Sequence, residues 1–79
     1  RNIALTVLEI DGSKEKLVEV LNVLAANGMK IKNIEMEESD DGTTALTIVS
    51  STPNTSFDAA VKGLKTIKGA KIISVDTES

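Results

Sequence analysis

The sequence predicts an α+β fold: four antiparallel strands carrying two helices on one face, in the order β-α-β-β-α-β. Three observations predict it. Apolar residues alternate with period two in four segments and recur at helical spacing in two others, and turn residues separate all six. The chain has 79 residues, so residues 1–79 are expected to form a single domain with a modest core.

The first strand is read from Ile3, Leu5 and Val7 alternating with Ala4 and Thr6, followed by Leu8 and Ile10. Asp11-Gly12 breaks it. Ser13 suits an N-cap, and Glu15 falls in the first helical turn, where negative charge complements the helix dipole. Leu17, Val20, Leu21 and Leu24 recur at helical spacing, with Val18, Val23 and Ala25 widening the stripe, so a helix is predicted from Ser13 to Asn27. Gly28 suits the left-handed position just past its end.

In the next segment Met29 and Ile31 share one parity, while Ile34 and Met36 share the other. A regular strand cannot place both pairs on one face, so a bulge is predicted near Lys32-Asn33. The lysines and glutamates around it suit a guarded edge. Asp41-Gly42 marks a hairpin turn. The third strand follows from Thr43 to Ser51, with Leu46 and Ile48 on one face and Ala45, Thr47 and Val49 on the other. After a loop holding the only proline, Pro53, Thr55 and Asp58 match a capping-box variant. Phe57, Val61, Leu64 and Ile67 mark a second helix closing near Gly69, and a last strand follows with Ala70, Ile73 and Val75 expected inward. Short crossovers around a hairpin in this order describe a ferredoxin-like split βαβ fold.

By parity the sheet face away from the helices is expected to carry Ala4, Thr6, Leu8, Thr47, Val49, Ile72 and Ser74. Leu8, Val49 and Ile72 are apolar. Two readings are open for them: scattered exposed apolar residues of the kind monomers carry, or a surface for another subunit or another domain.

Composition excludes several functions. Apolar residues make up 41% and support a packed core, but the only aromatic is Phe57, and the net charge is −3. Nucleic-acid binding needs a basic face or stacking aromatics, and neither is present. No apolar run approaches the length of a membrane span and no leader-like segment is seen, so a cytoplasmic location is expected. The chain starts at Arg1 rather than methionine, as either a domain cut from a longer protein or a trimmed chain would.

Histidine and cysteine are both absent, which removes the usual proton shuttle and the thiolate metal ligands. The acidic run Glu35, Glu37, Glu38, Asp40 and Asp41 lies along a strand into a hairpin, where alternation splays the side chains; it reads as solvated surface rather than a metal or catalytic site. The only arginine is Arg1, so an anchored guanidinium for phosphate is implausible. No catalytic residue, metal or cofactor is expected.

Together, Leu17–Ser39, Asp40–Val49 and the ending Leu64–Val75 resemble an ACT domain, a small regulatory module attached to amino-acid-metabolism enzymes and to (p)ppGpp synthetase/hydrolases. The ending "LKTIKGAKIISVD" is most similar to the C-terminal ACT domain of the latter, with an amino-acid-biosynthetic enzyme as the other candidate parent. The resemblance implies a non-catalytic sensor that pairs with a second copy or docks on its parent chain. It also implies an amino-acid ligand held between the first turn of one copy, Asp11, Gly12 and Ser13, and the second-strand start of another, Gly28, Met29, Lys30 and Ile31. Two positions depart from the family pattern: Glu15 stands where relatives have a glycine, and Lys30 where ligand-binding members often have Asn.

Overall fold

The six elements follow in the predicted order: β1 (Ile3–Asp11), α1 (Lys14–Ala26), β2 (Lys30–Glu38), β3 (Thr43–Ser51), α2 (Asp58–Lys65) and β4 (Ala70–Glu78). The computed structural model describes residues 2–12, 14–52 and 57–78. All three strand pairs are antiparallel and the sheet order is β2-β3-β1-β4, so β2 and β4 are the edges. This is the expected ferredoxin-like architecture.

One face of the sheet is sealed. Leu8 and Ile10 of β1 and Leu46 and Ile48 of β3 form one buried cluster with Val20 and Leu24 of α1 and Ala60 and Leu64 of α2, so both helices cover the same side. Thr6, Thr44 and Ser50 bury hydroxyls in this layer. Thr6 Oγ1 and Ser50 Oγ are buried without a hydrogen-bond partner.

The bulge in β2 is present. Ile31 faces Ser50 and Asn33 faces Val49, leaving Lys32 as the extra residue. Ile31, Ile34 and Met36 thereby all stand opposite buried β3 residues, which is what their mixed parity required. The end of α1 also matches expectation. The Gly28 amide donates to the Ala25 carbonyl, the Met29 amide donates to the Leu24 carbonyl, and Gly28 has φ of +81°. This is a Schellman motif, and Leu24 and Met29 both belong to the buried core.

Two elements differ from the sequence reading. The helix α2 ends at Lys65, before Ile67; there the amide and hydroxyl of Thr66 both donate to the Gly63 carbonyl, tightening the last turn. Ile67 is still buried, but from the following turn. In β4 the register shifts: Leu8 faces Ile72, whereas Val7 faces Ser74. Ala70, Ile72 and Val75 therefore point toward the helices, and Ile73 is 51% exposed rather than inward. The capping residues expected at Ser13 and Thr55 lie outside the described residues.

Candidate functional site

The β1–α1 turn is fixed by its neighbours. The Asp11 amide donates to the Gly69 carbonyl at 2.8 Å, and the Gly12 amide donates to the Gly42 carbonyl at 3.0 Å. A Cβ at Gly12 would lie 2.6 Å from that Gly42 oxygen, so the glycine is required by the approach of the β2–β3 hairpin. Both amides are thus engaged by protein carbonyls. Ser13 lies outside the described residues. Two shallow hollows flank the turn: one of about 200 Å³ is bounded by Gly12, Glu38, Ser39, Gly42, Thr43 and Thr44. The other, of about 240 Å³, lies beside Asp11, Gly69 and Lys71.

The second-strand start is built differently. Gly28 and Met29 complete the helix cap, and the Met29 side chain belongs to the core. Lys30 is exposed opposite Ser51, and Ile31 is half-buried opposite Ser50. Within one chain these residues do not meet the turn. Asp11 faces Thr43 at one end of β3 and Lys30 faces Ser51 at the other, about 27 Å apart at the usual strand rise.

The expected apolar patch of Leu8, Val49 and Ile72 does not form. Leu8 is fully buried in the core and Ile72 packs against it; only Val49 lies on the open face. The open face instead carries Ile3, Leu5 and Val7 of β1, because these share a parity with Glu9 and Asp11. Turning that parity inward would bury two carboxylates without partners, a far larger cost than exposing three aliphatic side chains. Glu9 and Asp11 were the signal that could have assigned the faces.

At the hairpin, the Asp41 carboxylate accepts hydrogen bonds from the Thr43 hydroxyl at 2.7 Å and the Thr43 amide at 3.1 Å. These bonds favour the charged form and hold Asp41 below its ordinary carboxylate value, the hydroxyl contributing most. Among the described residues, no three acidic side chains converge in a group able to hold a metal ion. No helix among them is long and apolar enough to cross a membrane.

No family model matches the sequence, and none of the curated proteins does. Solved structures match its architecture. An ACT domain from the GTP pyrophosphokinase of Chlorobium tepidum superposes with a TM-score of 0.62 and 13% identity, covering 96% of each chain. The fold is that of an ACT domain. The same fold occurs in a formyltetrahydrofolate deformylase from Burkholderia mallei, at a TM-score of 0.76 and 10% identity; the match covers 99% of this chain but only 28% of that one. It occurs again in the C-terminal domain of MgtC from Mycobacterium tuberculosis, at 0.74 and 8% identity, over 98% and 85% of the two chains. At such identities the likeness is one of architecture, and activity has to be argued from the residues.

Proposed function

We propose that this chain is a non-catalytic regulatory module of a larger enzyme, working as two copies that hold an amino acid between them. The observation that carries the reading is the separation of the two ligand segments to opposite ends of one sheet. They can share a ligand only across two chains.

Charge along β2 supports one way of pairing. Its first half carries Lys30 and Lys32, and its second half Glu35, Glu37 and Glu38. Antiparallel β2–β2 pairing sets the lysines of each copy beside the glutamates of the other, whereas parallel pairing sets like beside like. The antiparallel arrangement also brings Gly28–Ile31 of one copy toward the hollow at Gly12, Ser39 and Gly42 of the other. A ligand carboxylate there would lie near the positive end of the α1 dipole.

The parent class we favour is a (p)ppGpp synthetase/hydrolase. The resemblance of Leu64–Val75 supports it, as does the end-to-end match to an ACT domain of a GTP pyrophosphokinase; an amino-acid-biosynthetic enzyme is the alternative. A second reading, pairing or docking without any ligand, is favoured by the engaged amides of Asp11 and Gly12. Titrating the protein with each of the twenty amino acids while following backbone amide shifts separates the two. Sensing predicts that one amino acid moves both the Gly12–Glu15 and the Gly28–Ile31 signals. Flat signals at millimolar concentrations of every amino acid leave only the ligand-free module.

A further inference from the structure

The open face of the sheet is a surface that neither the ligand turn nor the β2 edge uses, and edge-to-edge pairing leaves it uncovered. Its centre is aliphatic: Ile3, Leu5 and Val7 of β1, with Val49 directly opposite Leu5. Charge lies at the four corners of this face and alternates in sign around it. At one end, Lys30 of β2 and Glu78 of β4 both stand level with Ile3. At the other end, Glu37 of β2 and Lys71 of β4 both stand level with Glu9. Each edge strand therefore changes sign along its length, and the two edges do so in opposite directions.

A surface with this pattern is complementary to itself. We propose that the open face packs against the open face of a second copy, about a two-fold axis parallel to the strands and between β1 and β3. Such an axis lays β4 of one copy over β2 of the other and keeps every row at its own level. Lys30 then lies over Glu78 of the second copy and Glu37 over its Lys71, so all four corners are matched. Between the corners, Leu5 lies over Val49, Asn33 over Asp76 and Glu35 over Ser74. Glu9 and Asp11 fall at one end, where the crossing of about 30° usual for aligned sheets opens the stack to water.

Other arrangements fit worse. Turning the second copy end over end, with the sheets still centred on each other, sets Leu5 over Glu9 and Ile3 over Asp11. A right-angled crossing sets corners of like charge together. An amphipathic helix offers one line of charge to each edge, and neither edge here keeps one sign. The area is sufficient for a second copy. Four strands of nine residues make up the sheet, a face of roughly 600 Å² at the usual rise and spacing. Two such faces together clear the roughly 1,000 Å² that a specific interface needs.

The test mixes isotope-labelled and unlabelled protein and looks for magnetisation transfer between copies. Transfer from the Leu5 methyls of one copy to the Val49 methyls of the other is expected, and pairing through the β2 edges alone gives none. The amides of Leu5, Val7, Thr47 and Val49 should also move on dilution from about 1 mM to about 10 μM. Asp76→Lys with Glu78→Lys changes two exposed positions away from β2 and sets lysine over lysine at two corners. This variant is expected to pair through the face about tenfold more weakly or worse. Adding Lys30→Glu to it should restore the Leu5–Val49 transfer. The same change weakens β2–β2 pairing, so recovery reports on the face and not on the edge. Face signals that stay fixed across that concentration range overturn the inference and leave the surface to another domain of a longer chain. Association without Leu5–Val49 transfer, or a double variant that pairs as the wild type does, overturns it as well.

Discussion

Leu5 and Leu8 sit three residues apart on the same strand, yet Leu8 is fully buried and Leu5 is 36% exposed. Leu8 faces Leu46 and Ile72 beneath the helices, while Leu5 faces Val49 and Asp76 on the open side. Both sides of β1 are aliphatic, so apolar content alone does not say which is inside. The carboxylates do: Glu9 and Asp11 belong to the open side, and Ile10 closes the other. One face is committed to the fold and the other lies open.

The largest expected effect comes from truncating each leucine in turn. Leu8→Ala should cost about 2–5 kcal/mol in urea unfolding, because it opens a cavity under two helices. Leu5→Ala should cost less than about 1 kcal/mol, as a surface change does. Equal losses would erase the distinction between the faces. Next comes Gly12→Ala at the end of the same strand, where the new methyl meets the Gly42 carbonyl; a loss of about 1–3 kcal/mol is expected from overpacking. If it is neutral, the hairpin does not press on the turn as described.

The sealed face has a flaw that can be mended. Thr6→Val keeps the shape and removes a buried hydroxyl that lacks a partner, so stability should rise by about 1 kcal/mol. The smallest effect belongs to Asp41. Its folded-state pKa is depressed, so its contribution is present above the ordinary carboxylate pKa and is lost as pH falls through the lowered value. Asp41→Asn keeps an acceptor for Thr43 but cannot titrate, and should flatten that part of a melting profile recorded from neutral to acid pH.

Much of the fold was legible because its signals are local. The mixed parity of Met29, Ile31, Ile34 and Met36 announced a bulge, Asp41-Gly42 announced the hairpin, and Asn27-Gly28 announced the helix end. What was not legible depends on distant partners. The face of Leu8 follows from register with β3, and the inward turn of Ile72 follows from a bulge in β4 that its own apolar run, Ile72-Ile73, conceals. The reason for Gly12 lies in the approach of Gly42, thirty residues downstream in the sequence. The candidate site was therefore visible as a turn in the sequence, but the engagement of its amides was not.

The paired arrangement is tested most directly by charge exchange on β2. One variant carries Lys30→Glu with Lys32→Glu, and the other carries Glu35→Lys with Glu37→Lys. Sedimentation of each alone should show a monomer, because pairing then sets like charges together, and an equimolar mixture should restore the two-copy species. A wild-type protein that stays monomeric at high concentration, or variants that pair equally well alone and mixed, would contradict the account.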